Sequence, residues 1–170
     1  LFLDKKDEMG LSKLAYNFLG GVLNTADSLC AIFNPTVNSY KRINAPVTLS
    51  GSTWSPNAVS YSGNNRTHMV RIPDAGRFEF RLMDGATNPY LSQAALLAAG
   101  LDGIRNKHTP GKRLDINMYE EGSRVRGLKK LPTTLLDALR VLEKSKVLKE
   151  AWGAEVVASY LKLKMGEWLA

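Results

Sequence analysis

The 170-residue chain is long enough for one domain with its own core, and its 44% hydrophobic and 23% charged residues are those of an ordinary globular protein, not a disordered one. A formal charge of +7 raises the question of nucleic acid. In the C-terminal third, however, Arg140, Lys144, Lys146 and Lys149 alternate with Glu143 and Glu150 as on a solvated helix face, and no nucleic-acid-binding signature accompanies them, so no nucleic-acid partner is expected.

Taken in chain order, Leu1-Phe2-Leu3-Asp4 carries neither an initiator methionine nor a signal-peptide layout, which reads as a cut inside a longer protein. Leu11, Leu14, Ala15, Phe18, Val22, Leu29, Ile32 and Phe33 recur at helical spacing and predict an amphipathic helix over residues 10–33. Gly20, Gly21 and Asn24 are expected to loosen its middle, and Asn34-Pro35 to stop it, because the residue before proline is pushed out of helical geometry. Cys30, flanked by Leu29, Ala31 and Ile32, reads as a small core residue. A lone cysteine forms no internal disulfide, which makes the cytoplasm the default compartment.

A loop rich in Ser, Thr, Asn, Gly and Pro is expected over about residues 44–65. Strands at 66–72 and 77–82 follow, joined by the turn Pro73-Asp74-Ala75-Gly76 into a hairpin. Side-chain alternation puts Phe78, Phe80 and Leu82 on one face of the second strand and Arg77, Glu79 and Arg81 on the other. Asn88-Pro89 is a helix start, and residues 91–104 behind it are apolar almost all round, so that helix is expected to be buried. Its most apolar run, residues 94–101, is far shorter than the roughly 18 residues of a membrane span, so no membrane partner is expected. After a polar segment, amphipathic helices are predicted over 133–148 and 154–168, and the fold class is α+β.

Three familiar chemistries lack their residues. Gly111-Lys112 is not a phosphate loop, since Asn106 stands where that motif needs glycine and Arg113 where it needs Ser or Thr. His68 and His108, the only histidines, are far apart in sequence and are read as surface or hydrogen-bonding residues, not zinc ligands. No Gly-x-Ser-x-Gly nucleophile turn is present.

What remains is a dense group of guanidinium groups, Arg66, Arg71, Arg77 and Arg81, around one carboxylate, Glu79. One reading is a solvated hairpin face with cross-strand ion pairs. The other is an anion site, because arginine presents a planar fork of donors suited to carboxylate and phosphate. In that site a single glutamate makes sense as a ligand to magnesium, which takes one or two protein carboxylates and completes its shell with phosphate and water.

Four blocks of the chain resemble the glutamine synthetase family, in that family's order. They are Asn34-Pro35-Thr36 through Asn38-Ser39-Tyr40-Lys41-Arg42; Asn65-Arg66-Thr67 through Val70-Arg71-Ile72-Pro73; Arg77-Phe78-Glu79-Phe80-Arg81 with Asp84; and Asn88-Pro89-Tyr90-Leu91 through Ala99-Gly100-Leu101-Asp102-Gly103-Ile104. Gly51-Ser52-Thr53-Trp54-Ser55-Pro56 and the short turn after Arg42 resemble the type III branch, which is also similar to the γ-glutamylmethylamide synthetases. The resemblance implies that residues 1–170 are the C-terminal portion of an α+β catalytic domain. It further implies a full-length enzyme that uses ATP and Mg2+ or Mn2+ to ligate ammonia to the γ-carboxylate of L-glutamate through γ-glutamyl phosphate. By the same resemblance Arg42, Arg66 and Arg81 hold glutamate, Arg66, Arg71 and Arg77 hold ATP, Arg66 also faces the reacting groups, and Glu79 binds the metal.

The departures from the family pattern matter as much. The loop after Arg42 usually carries a glutamate over the ammonium site, whereas Ile43-Asn44-Ala45-Pro46 is short and acid-free, which leaves room for methylamine or another amine. Tyr119 falls near a tyrosine that some bacterial members adenylylate, but Glu120-Glu121-Gly122 does not match and no such regulation is assigned. The other metal carboxylates are expected upstream of Leu1, so the fragment alone is expected to be inactive; an alternative of another class is a non-catalytic fragment that only binds nucleotide or contributes to assembly. The family assembles as stacked rings, so a homo-oligomer is expected.

Overall fold

A computed structural model describes residues 1–46 and 55–170. Its helices are α1 (Lys13–Phe33), α2 (Ser39–Ile43), α3 (Pro89–Arg105), α4 (Met118–Glu121), α5 (Leu135–Glu143), α6 (Lys146–Trp152) and α7 (Ala154–Leu169). Its strands are β1 (Tyr61–Ser62), β2 (Val70–Asp74) and β3 (Arg77–Phe80). The sheet runs β1-β2-β3, with β1 parallel to β2 and β2 antiparallel to β3. This is the α+β class expected from sequence.

The core is built on α1. Ser12 caps it by accepting the Ala15 N–H, and Ala15, Leu19, Val22, Ala26, Leu29, Ile32 and Phe33 are almost wholly withdrawn from solvent. Cys30 is buried among them, where desolvation pushes its thiol far above the usual range and keeps it unreactive.

The expectation that Gly20 and Gly21 loosen α1 is wrong: the helix runs through both without a break. Their lack of a side chain is used for contact. A Cβ on Gly21 would stand 2.1 Å from the Ala99 carbonyl oxygen of α3, and one on Gly103 would stand 2.2 Å from the Asn17 carbonyl oxygen of α1. The two backbones therefore cross closely. The packing of that crossing offsets the helix-propensity cost of glycine, about 1 kcal/mol per residue relative to alanine.

The same crossing corrects the reading of α3. That helix is not buried all round, because the face against α1 is its small one, Ser92, Ala95, Ala99, Gly100 and Gly103, while Leu97 and Leu101 are 54% and 44% exposed. Close backbone approach selects the small residues and turns the leucines outward. No helix among the described residues is long and apolar enough to cross a membrane.

Two further boundaries differ from expectation. Residues 66–69 form a turn instead of extending the strand, because the Asn65 side chain accepts both the N–H and the hydroxyl of Thr67. The single helix expected over 133–148 is two, α5 and α6, because Ser145 accepts the Leu148 N–H and starts a new helix. Within the expected loop, β1 pairs with β2; of the block at residues 51–56, residues 51–54 lie outside the described residues. Leu135, Leu139, Leu142, Leu148 and Val157 complete the core on the far side of α1, and the Tyr160 hydroxyl donates to the Ala31 carbonyl across it.

Candidate anion and metal site

The hairpin register places Arg71 directly opposite Glu79. Arg71 donates from Nη1 to Glu79 Oε2 at 2.7 Å and from Nε to Asn64 Oδ1 at 2.7 Å. The other carboxylate oxygen, Glu79 Oε1, lies 3.5 Å from Arg81 Nε. Glu79 therefore sits between two guanidinium groups, each little exposed, while its own side chain is 44% exposed and faces solvent.

Arg81 lies one residue past β3 and is held by main chain. Its Nη1 donates to the carbonyls of Arg66 and His68. This locks the turn that carries Arg66 to the strand that carries Glu79. Arg66 itself is exposed and borders an open cleft of about 540 Å3 together with Asn64, Asn65, Thr67 and Arg71.

Arg42 approaches from α2. Its Nη2 donates to the Leu82 carbonyl and, at 3.0 Å, to Asn34 Oδ1, while its Nε is buried with no hydrogen-bond partner among the described residues. Burial pulls this guanidinium below the usual arginine range, with the Asp84 carboxylate opposing that and the neighbouring Arg81 charge adding to it. Asn34, which stops α1, is thus also the residue that orients Arg42, and the Asp84 N–H donates to the Phe33 carbonyl beside it.

Arg77 is placed differently from the others. It stands at the hairpin tip, paired with Asp74 at 2.9 Å, with both side chains about two-thirds exposed. His68 is fully buried and hydrogen-bonded through Nε2 to the Ile116 carbonyl, the hydrogen-bonding role expected of it, and desolvation lowers its pKa.

One participant was not assigned from sequence. Tyr119, on α4, stands near Arg81 and Arg42, whose positive charges oppose the upward pull of burial on its phenol. Thirty-eight residues separate Tyr119 from Arg81, and neither spacing nor periodicity links them. A larger cavity, of about 590 Å3, is bordered by Lys5, Asp7, Glu8, Asp74, Arg113 and Asp115, so its acids outnumber its bases, and Arg113 is shared between Glu8 at 3.0 Å and Asp115 at 2.7 Å. The hairpin cleft carries the uncompensated positive charge.

The family described as glutamine synthetase, catalytic domain, matches residues 1–170. The chain belongs to that family. It is 59% identical over 167 residues to a glutamine synthetase of Rhizobium meliloti (strain 1021), a match covering 98% of this chain and 38% of the relative. It is 46% identical over 174 residues to a glutamate–methylamine ligase of Methyloversatilis universalis, covering 99% of this chain and 39% of the relative. Among solved structures, a GmaS/ADP complex superposes with a TM-score of 0.92 at 60% identity, covering 99% of this chain and 39% of that one. This glutamine synthetase family chain therefore spans about two-fifths of the length of the relatives it matches, and those relatives are ligases.

Within that family setting, the fit of a divalent cation can be judged from the donors present. Among the described residues no group of three His, Cys, Asp or Glu side chains converges. Glu79 offers one half-exposed carboxylate, which suits a magnesium or manganese ion that draws its remaining ligands from phosphate, water and residues outside this chain.

Proposed function

We propose that the full-length protein carrying this chain is a glutamate–amine ligase that uses ATP to join ammonia to the γ-carboxylate of L-glutamate through γ-glutamyl phosphate. The observation that carries this reading is the cluster itself: Glu79 bracketed by Arg71 and Arg81, with Arg66 at the cleft and Arg42 behind, in a chain of this family.

The residues divide the work by position. Arg71 and Arg66 face the open cleft and are suited to the phosphates of ATP, where planar forks can neutralise charge spread over the equatorial oxygens of a transferring phosphoryl group. Arg42 and Arg81, tethered to main-chain carbonyls, are suited to the carboxylates of glutamate and hold them without side-chain rearrangement. Arg77, at the hairpin tip, reaches nucleotide only by leaving Asp74. When bound, Mg2+ or Mn2+ on Glu79 supplies further neutralisation of phosphate charge. No arginine acts as nucleophile; the amine displaces phosphate from the activated acyl group.

A second reading, methylamine as acceptor, is favoured by the acid-free turn at residues 43–46 after Arg42 and by the likeness to a glutamate–methylamine ligase. Release of ADP by the full-length protein, measured with glutamate and either ammonium or methylamine, tests both. Ammonium-dependent release supports the first reading, a strong preference for methylamine supports the second, and release independent of glutamate overturns the ligase assignment. On the same reading the isolated 170-residue chain is inactive, and the full-length protein is a cytoplasmic homo-oligomer, checked by light scattering.

A further inference from the structure

Several hydrogen-bond donors along the cleft beside the hairpin are already engaged within the fold. Asn65 Nδ2 donates to the Ile116 carbonyl at 2.9 Å. The Thr67 hydroxyl donates to Asn65 Oδ1 at 2.7 Å and accepts the Met118 N–H at 3.0 Å. Neither side chain has a proton left for a ligand without giving up a bond that shapes the turn. Arg71 is fixed at two points, by Nε on Asn64 Oδ1 and by Nη1 on Glu79 Oε2, each at 2.7 Å. Its other guanidinium protons, and those of the exposed Arg66, remain for the cleft.

Asn64 is the one further lining residue of this cleft, and its amide has a settled orientation. A guanidinium only donates, so the atom that meets Arg71 Nε is the amide oxygen. That leaves Asn64 Nδ2, with two protons and no hydrogen bond among the described residues, on an exposed side chain at the cleft. The backbone beneath it is held before any ligand arrives. Ser62 pairs with Arg71 in the parallel ladder, and the Gly63 carbonyl accepts the Ile72 N–H at 3.1 Å and the Asn65 N–H at 2.7 Å.

We propose that Asn64 is a further phosphate-binding residue of the nucleotide site: its Nδ2 donates to a phosphate oxygen of ATP lying between Arg66 and Arg71, while its Oδ1 keeps Arg71 in place. The inference rests on the ATP site of the ligase reading above. An amide here adds a directed donor without adding charge, which complements two guanidinium groups that supply the charge.

The test is Asn64→Ala in the full-length protein, alone and combined with Arg71→Ala. It is read by calorimetric binding of a non-hydrolysable ATP analogue with Mg2+ and by steady-state kinetics. Alone, the substitution is expected to weaken analogue binding and raise the KM for ATP about tenfold, the scale of a lost hydrogen bond to a charged group, with the KM for glutamate within about twofold. In the Arg71→Ala background it is expected to weaken binding about fivefold again, because the phosphate contact is Asn64's own. A residue that only tethers Arg71 would have no effect once Arg71 is gone, and that result overturns the inference. Asn64→Asp keeps an acceptor for Arg71 and puts a negative oxygen where the donor was, so it is expected to weaken binding more than Asn64→Ala. Normal analogue binding in either single variant, or an equal rise in the KM for glutamate, also overturns the inference. An unsubstituted protein that binds the analogue but releases ADP without glutamate overturns the ligase assignment and not the role of Asn64; one that binds no analogue overturns both.

Discussion

The α1–α3 crossing and the arginine hairpin are held by opposite means. The crossing depends on what is missing, side chains at Gly21 and Gly103, so that two backbones meet with almost no room. The hairpin depends on what is present: charged groups whose own repulsion is overcome by carbonyls and amides from distant turns. A fold can therefore lose its crossing only by losing its packing, whereas it can lose its site and keep its shape.

The largest expected effect is at the crossing. Helix propensity alone says Gly21→Ala stabilises by about 1 kcal/mol. The Ala99 carbonyl oxygen 2.1 Å from the new Cβ says the opposite. We expect a loss of about 3 kcal/mol or more, read from denaturant unfolding of the full-length protein. Gly166→Ala on α7, where nothing lies within 4 Å of the added atom, is the control and is expected to stabilise by about 0.5–1 kcal/mol. Equal effects at both glycines would refute the role of close approach.

At the hairpin the expectation is the reverse, activity lost with little change in stability. Glu79→Gln keeps shape and hydrogen bonding but removes the charge between Arg71 and Arg81, and activity is expected to fall about a hundredfold. A fall in melting temperature that accounts for the whole loss would assign Glu79 to structure alone.

His68 lies in the turn that carries Arg66, is fully buried and binds the Ile116 carbonyl. Its folded pKa lies below the ordinary imidazole value of 6.5, so protonation favours the unfolded chain. Its contribution is whole above that value and is lost as pH falls through it. A melting temperature that declines below about pH 6.5, with a shallower decline in His68→Gln, is the expected result; parallel declines would place the titration elsewhere.

The smallest effect belongs to Arg77→Ala. Its pair with Asp74 is exposed, so stability is expected to change by less than about 0.5 kcal/mol, and the KM for ATP to change less than in Arg71→Ala. A larger rise than in Arg71→Ala would bring the hairpin tip into the nucleotide site.

The legible and illegible parts of the site follow the same division. Arg71, Glu79 and Arg81 were readable because strand alternation carries every second residue to one face. Arg66 and Arg42 were readable from motif, but not the way they are held: Arg66 sits on a turn that Asn65 closes, and Arg42 on a five-residue helix behind the sheet. Tyr119 was not assigned to the site at all, because the bonds that bring it there run between turns about fifty residues apart.

By itself the sequence determined the class of the fold, the apolar stripe of α1, the hairpin and the identity of its charged face, since these follow from short-range periodicity and turn chemistry. Only the tertiary structure decided that Gly20 and Gly21 are contacts and not weak points, that α3 turns its leucines outward, and that Tyr119 comes near Arg81 and Arg42. Periodicity reports which face of an element is apolar. It does not report how closely two backbones approach, nor which distant carbonyl a guanidinium will find, because those are settled by the packing of the whole chain.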